Sequence, residues 1–150
     1  MKKLSGISQK ANIGRILDAN LNRAKEGLRV CEEITRFVLN QHKITATFKA
    51  LRHRVNILSV RFYPRGILLK HRQAQSDVGR LNSRGELKRA NLADVFFANI
   101  QRVKESLRVL EEFSKLSDKR NALGFKALRY QIYALEKEAF KKISALSDLR

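Results

Sequence analysis

A polar interruption in an apolar helical stripe is the feature of this sequence best suited to chemistry. Along one face of a predicted helix, the middle positions are Asn20, Arg23 and Gly27 instead of apolar residues. A partly buried amide and guanidinium need partners, which can be each other, backbone groups or an anion. A mid-helix glycine costs about 1 kcal/mol against alanine, and its usual reason is the close approach of a backbone or a ligand. The group therefore indicates an anion-binding site or a set of buried hydrogen bonds.

The same interruption occurs a second time, at Asn99, Arg102 and Ser106. Gly27 and Ser106 are both small, which predicts a pocket beside each arginine. Two such groups suit a protein that holds two anionic ligands. The competing interpretation is that these residues form hydrogen bonds across a pseudo-twofold axis and lock the register of two helical hairpins.

The segment 71–79 is a second candidate for phosphate chemistry. It contains Arg72, then Ser76 and Asp77, then Gly79, whose backbone can approach a ligand closely. This order is compatible with a loop that binds phosphate or a metal–phosphate complex. Asp-x-Gly also occurs in many ordinary turns, and these residues alone favour a turn.

Helices must position all of these residues. Apolar residues recur at alternating spacings of three and four, which predicts helices over about 12–41, 45–62, 91–116 and 118–146. Between the second and third helices, residues 61–89 hold eight Lys or Arg, two acidic residues and little periodicity. Connections of this length within compact domains are usually functional or mobile.

The third predicted helix repeats the first. Residues 15–37 and 94–116 are identical at ten of 23 positions, with an offset of 79 residues, and Phe48–Arg52 recurs as Phe125–Arg129. Two matches in the same order predict an all-α fold, an antiparallel four-helix bundle built from a duplicated helical hairpin. In this single domain, 1–150, the first hairpin covers about 12–62, a long basic loop covers 63–90, and the second hairpin covers 91–147.

The composition narrows the class of partner. The 32 Lys and Arg against 14 Asp and Glu give a formal net charge of +18, which suits nucleic acid, an anionic membrane or small phosphorylated ligands. The single cysteine, Cys31, excludes an intramolecular disulfide and is expected to be a small core residue. The first six residues begin like a signal peptide but lack its apolar region, and no stretch is long enough to span a bilayer, so we expect a cytoplasmic protein without a membrane partner.

Several stretches of the chain resemble the small monofunctional hydroxymethylpyrimidine-phosphate kinase family of thiamine biosynthesis, which occurs alone or fused to thiamine-phosphate synthase. The resemblance covers residues 15–130. It rests on Arg15–Val30, Glu33, Arg36-Phe37, Leu51-Arg52-His53, Arg72, Asp77-Val78-Gly79, Glu86, Arg89, Leu92-Ala93-Asp94, Ala98-Asn99, Arg102, Glu105 and Leu107–Glu112. The loop departs from the family pattern, with Ser76 where glycine is usual and Arg80 where threonine is usual.

The resemblance implies an ATP-dependent phosphotransferase that converts 4-amino-5-hydroxymethyl-2-methylpyrimidine phosphate to the diphosphate, with ATP as co-substrate and Mg²⁺. Its catalytic residues would be Arg23, Arg102 and Asp77, and Mg²⁺ would be held by Asp18 and Asp77. The residues expected to bind substrate or phosphate are Asn20, Asn22, Glu26, Gly27, Arg52, Arg72, Gly79, Arg89, Asn99 and Glu105. Phosphoryl transfer needs positive charge around the moving group, and the five arginines among these residues supply it. A kinase site also predicts that Arg23 and Arg102 converge on one solvent-reachable cavity with Asp77 near its mouth.

Two other classes of protein are also compatible with the sequence. A basic helical nucleic-acid-binding protein would explain the net charge through phosphate contacts. A non-catalytic partner module of a thiamine-phosphate synthase would use the repeated Asn and Arg only as register locks. The sequence also leaves open whether the chain forms a homo-oligomer.

Overall fold

The structure is a computed structural model that describes residues 6–81 and 84–147. All regular secondary structure in those two ranges is α-helical, as predicted. The helices are α1 (Gly6–Phe37), α2 (His42–Phe62), α3 (Arg65–His71), α4 (Leu92–Ser114) and α5 (Lys119–Ser147). Among these helices, none is long and apolar enough to cross a membrane. Of the six residues on which the comparison with a signal peptide rested, residues 1–5 lie outside the described ranges.

The apolar seam predicted for the first helix is buried along α1. Its buried members are Leu17, Leu21, Ala24, Leu28, Cys31 and Thr35. The helix ends at Phe37, earlier than the predicted boundary near residue 41, and Asn40 has a positive φ of 51°. Asparagine tolerates this left-handed conformation better than most residues, which is why it can end the helix here. Val38, which continues the spacing of these apolar residues and falls inside the predicted helix, therefore lies outside α1 and is exposed.

The start of α4 is determined by local capping. Asn91 accepts a hydrogen bond from the backbone N–H of Asp94, while the Asp94 carboxylate accepts one from the backbone N–H of Ala90. These reciprocal bonds satisfy amides that the first turn leaves without partners. The seam predicted for this helix is buried at Phe96, Ile100, Val103, Leu107, Leu110 and Ser114.

The four long helices enclose one core, because α1 contacts α2 and α4, and α5 contacts α4 and α2. Neighbours run in opposite directions. On α1, Gly27 lies against Val103 of α4, and the later residue Cys31 lies 3.8 Å from the carbonyl oxygen of the earlier residue Phe96. On α2 and α5, Leu58 lies against Gly124. Together with the other contacts between these two helices, this shows that they also run in opposite directions.

Two ion pairs at matching positions of the repeat join the helices of each hairpin. Arg52 of α2 donates to buried Glu32 of α1 across 2.9 Å, and Arg129 of α5 donates to buried Glu111 of α4 across 2.9 Å. The same residue types thus make the same contact in both halves of the chain.

The connection between the hairpins is not a loop throughout, which corrects the prediction for 63–90. It begins with α3, whose Leu68 is buried against the core. This helix packs on α1 so closely that a Cβ added at Gly14 would lie 2.7 Å from Cδ2 of His71. The short apolar run 67–69 is therefore the anchor of a helix. The rest of the described connection, 72–81 and 84–91, is exposed.

Candidate active site

A cleft of about 580 Å³ opens between α1 and the chain that follows α3. It is lined by Asn12, Arg15, Ile16, Asp18, Ala19, Asn20, Asn22, Arg23, Glu26, Arg72, Gln73, Ala74 and Asp77. Seven of the predicted site residues are among them: Asp18, Asn20, Asn22, Arg23, Glu26, Arg72 and Asp77. The structure therefore brings the polar face of α1 together with the segment 71–79, which follows that face by about 50 residues in the chain.

Arg72 is held in the cleft by Asp18. As the residue after the last turn of α3, Arg72 donates from Nε to Oδ2 of Asp18 across 2.7 Å and from Nη2 to Oδ1 across 2.8 Å. This two-point contact fixes the plane of the guanidinium, and the hydrogen bond to Asp18 raises the pKa of Arg72 above its ordinary range. Asn22 also donates to the Asp18 backbone carbonyl, across 3.0 Å.

Asp77 forms a turn at the edge of the cleft. Its Oδ1 accepts a hydrogen bond from the backbone N–H of Gly79 across 2.9 Å, and its backbone carbonyl accepts one from the N–H of Arg80. The Asp-x-Gly segment is thus an Asx turn. Gly79 has no positive φ and does not line the cleft. Asp77 is exposed, so its carboxylate can reach a ligand or a ligand-bound cation.

The two repeated asparagines are satisfied by their own helices. Asn20 Nδ2 donates to the backbone carbonyl of Ile16, and Asn99 Nδ2 donates to that of Val95, each across 2.8 Å. Their amides therefore do not bond to each other or lock the hairpins in register. Asn20 lines the cleft, whereas Asn99 is not among the lining residues.

Gly27 serves helix packing and not a ligand. A Cβ at this position would lie 2.7 Å from Cγ2 of Val103 and 2.9 Å from the backbone oxygen of Asn99. Ser106, the matching residue, is buried and donates to the carbonyl of Arg102 across 2.7 Å. The small side chains allow α1 and α4 to approach, so the predicted pockets beside Gly27 and Ser106 are filled by protein.

The repeated arginines differ in their surroundings. Arg23 is exposed on the cleft-lining face of α1, and Arg102 is exposed on α4 but does not line that cleft. Within the described residues neither side chain forms an ion pair. Arg23 and Arg102 therefore do not converge on the α1–α3 cleft, contrary to the prediction.

Three other predicted residues lie away from the cleft. Arg52 pairs with Glu32 inside the first hairpin. Arg89 donates to backbone carbonyls of its own loop, at Glu86 and Lys88. Glu105 accepts from Gln101 on the surface of α4. The pair formed by Arg52 and Glu32 has a structural role, and none of the three predicted residues lies in the cleft.

Sequence reasoning missed part of the cleft lining. Arg15 and Asn12 contribute polar groups, and Ile16 and Ala19 contribute an apolar floor. The signal was present, because these positions share one helical face with Arg23 at spacings of three and four.

Charge in the cleft is balanced but unevenly paired. Three arginines and three carboxylates line it, and one pair, Arg72 and Asp18, is joined. Among the described residues, no group of three or more His, Cys, Asp or Glu could hold a metal ion. Because both Asp18 oxygens accept from Arg72, the carboxylates left for a cation are Asp77 and Glu26.

Cys31 has no part in this cleft. Burial raises the pKa of its thiol to about 12, and the nearby charge of Glu136 acts in the same direction. The thiol is neutral and inaccessible at physiological pH, which confirms its interpretation as a core residue.

Fold and cleft together define an all-helical protein with a polar cleft in which two arginines, Arg15 and Arg23, form no ion pair with the described residues. Residues 15–138 match the ThiD2 family, and the chain belongs to that family. Its similarity extends to proteins named thiamine-phosphate synthase. That of Rhodopirellula baltica is 40% identical over 89% of this chain, that of Thermosynechococcus vestitus 42% identical over 91%, and that of Nostoc punctiforme 45% identical over 81%.

The chain spans about a third of the length of these relatives, covering 36%, 38% and 34% of them respectively. No solved structure matches it.

Proposed function

We propose that this chain acts in thiamine biosynthesis as a cytoplasmic kinase that transfers a phosphoryl group from ATP to 4-amino-5-hydroxymethyl-2-methylpyrimidine phosphate. One observation carries the proposal. The α1–α3 cleft collects Arg23, Arg72 and Asp77 beside two asparagines, in a chain that belongs to the ThiD2 family. The names of its relatives support the pathway, and the cleft supports a phosphorylated ligand.

The chemistry needs little from the protein beyond position and charge. An oxygen of the acceptor phosphate forms a bond to the γ-phosphorus of ATP, the bond from that phosphorus to the β,γ-bridging oxygen breaks, and ADP leaves. The acceptor is already ionised at neutral pH, so no general base is required. Arg23 can compensate charge that builds up on the transferred group, and Arg72 can do so with an orientation that Asp18 has fixed in advance.

Mg²⁺ enters this reaction with ATP as part of the substrate. Mg²⁺ keeps several waters and uses only one or two protein carboxylates, so a full protein cage is not needed. Asp77 and Glu26 are the residues in the cleft that would hold it, and the cation would neutralise the phosphates. Asp18 is assigned instead to Arg72.

The two halves of the repeat have different roles in the proposed function. We propose that the chain is a duplicated hairpin whose first half kept the binding face, because α3 follows only that half and supplies the second wall. On this view Arg102, Asn99 and Glu105 do not contact the ligand in the α1–α3 cleft, and Arg52 supports the fold.

A second candidate function is a non-catalytic partner module of thiamine-phosphate synthase. The observation that favours it is length: relatives with that name are nearly three times as long as the segment they share with this chain. In that case the chain would supply a helical surface to a thiamine-phosphate synthase, and the cleft would serve binding only.

The decisive experiment incubates the protein with ATP, Mg²⁺ and the pyrimidine phosphate and follows the diphosphate by ³¹P nuclear magnetic resonance. The kinase proposal expects stoichiometric diphosphate and ADP. Arg23→Gln is expected to slow turnover about 100-fold, because one charge-stabilising donor is lost. Arg36→Gln removes the same charge from α1 outside the cleft and serves as the matched control.

The outcome separates the two candidates. Absence of diphosphate from the folded wild-type protein, with an established kinase active in parallel, removes the kinase proposal. The partner-module function then requires that the protein bind a thiamine-phosphate synthase in sedimentation or pull-down measurements with purified components.

A further inference from the structure

Among the described residues, no carboxylate pairs with Arg15, an arginine of the cleft. It lies on α1, half-buried, and lines the cleft together with Asn12. No ion pair involves it within the described part of the chain. A guanidinium that is partly shielded from water and has no carboxylate partner gains from binding an anion, since charge that loses water is costly when it is not compensated.

The carboxylate best placed to pair with Arg15 already pairs with another arginine. Asp18 lies three residues further along α1, at a spacing where Asp and Arg side chains on a helix commonly pair. Both oxygens of Asp18 instead accept from Arg72, at 2.7 and 2.8 Å. The docking of α3 therefore brings a competing arginine that takes Asp18 away from Arg15.

We propose that Arg15 binds a phosphate group of the ligand, and that the Arg72–Asp18 pair acts as a positioning device that keeps Arg15 free for it. This inference deepens the proposed function, on which it rests for the identity of the ligand. The binding chemistry itself requires only an anionic phosphate or pyrophosphate group.

The position of Arg15 relative to Arg23 allows the two arginines to bind different phosphate groups. The two residues are eight apart on a continuous helix, a rise of about 12 Å. Between them the wall of the cleft is apolar at Ile16 and Ala19. The pyrimidine ring can lie on this surface with its phosphate at one arginine, while the triphosphate of ATP reaches the other.

The first test measures binding of inorganic pyrophosphate by isothermal titration calorimetry, with no turnover involved. Arg15→Gln is expected to weaken binding about tenfold, the usual effect of losing a charge-assisted hydrogen bond. Arg36→Gln, the matched loss of charge from α1, is expected to change it by less than about twofold. Equal effects of the two substitutions would overturn the proposal. Arg15→Lys, which keeps charge and helix propensity, provides a second variant and is expected to fall between them.

The second test addresses the positioning role of Arg72. In Arg72→Gln, Asp18 becomes free to pair with Arg15, and pyrophosphate binding is expected to weaken. Adding Asp18→Asn removes the competing carboxylate and is expected to restore binding about fivefold. When Asp18→Asn is added to the double variant Arg15→Gln, Arg72→Gln, pyrophosphate binding should be restored by less than about twofold. Equal restoration with and without Arg15 would show a general charge effect and contradict the positioning role.

The two proposals fail separately. If pyrophosphate binding depends on Arg15 but no diphosphate is formed, the kinase function fails and the binding role of Arg15 stands. If the protein is an active kinase and Arg15→Gln binds pyrophosphate like the wild type, the inference about Arg15 is wrong and the kinase function stands.

Discussion

Arg52 on α2 donates from Nε to Oε2 of Glu32 on α1 across 2.9 Å, and only 3% of the Glu32 side chain is exposed. The arginine covers a carboxylate that would otherwise be buried with one weaker contact, from Arg29 at 3.4 Å. This pair joins the two helices of the first hairpin, and its counterpart joins those of the second.

Replacing Arg52 by Met should therefore destabilise the fold. We expect a loss of about 2 kcal/mol in the free energy of unfolding, because a nearly buried carboxylate loses its main partner while Arg29 remains. Arg129→Met should cost more, about 3 kcal/mol, since that arginine is itself less exposed and makes two hydrogen bonds to Glu111. Urea denaturation measures both. Lys49→Met, an exposed position on α2, is the control, and an equal loss there would contradict the explanation.

Gly27→Ala tests the close approach of α1 and α4. The new Cβ would lie 2.9 Å from the backbone oxygen of Asn99, which cannot move away without shifting a helix. We expect a net loss of about 2 kcal/mol, in spite of the better helix propensity of alanine. Gly66→Ala is the matched control, because no atom lies within 4 Å of its added Cβ. It should be neutral or stabilising by up to about 1 kcal/mol. Thermal unfolding followed by circular dichroism measures both variants.

Cys31 should make stability depend on alkaline pH. Its folded pKa of about 12 exceeds the ordinary value of 9.0. The contribution of the neutral thiol to folding is thus fully present below pH 9 and is lost between pH 9 and 12, where the unfolded chain ionises first. The slope should approach about 1.4 kcal/mol per pH unit in that window. Cys31→Ala should remove this component. Denaturation curves of both proteins at pH 8 and pH 10.5 measure the difference, and parallel losses in the two would contradict the assignment.

The repeated arginines should differ in function although their sequence contexts match. Arg23 lines the cleft and Arg102 does not. If the chain is the proposed kinase, Arg23→Gln should slow turnover about 100-fold. Arg102→Gln should change it by less than about threefold, as expected for an exposed charge at a distance. Steady-state kinetics with the pyrimidine phosphate measures both. Equal losses would mean that both repeats contact the substrate, and would contradict the one-sided cleft.

Local patterns in the sequence determined most of the helical architecture. The spacing of Leu17, Leu21 and Leu28 identified the buried face of α1, because a helix places residues three and four apart on one side. The start of α4 at Asn91 and the turn at Asp77 also follow from contacts within a few residues. Such features depend on neighbours in the chain, so their prediction needs no knowledge of the rest of the fold.

The tertiary structure alone decided which polar residues form the candidate site. Asp18 and Arg72 are 54 residues apart and meet only because α3 packs against Gly14 of α1, a contact that no local periodicity specifies. For the same reason Gly27 faces a neighbouring helix and not a ligand. The repeat made Arg23 and Arg102 look equivalent, but a second wall follows only the first hairpin. Equivalence in sequence becomes equivalence in function only where the surrounding elements are repeated as well.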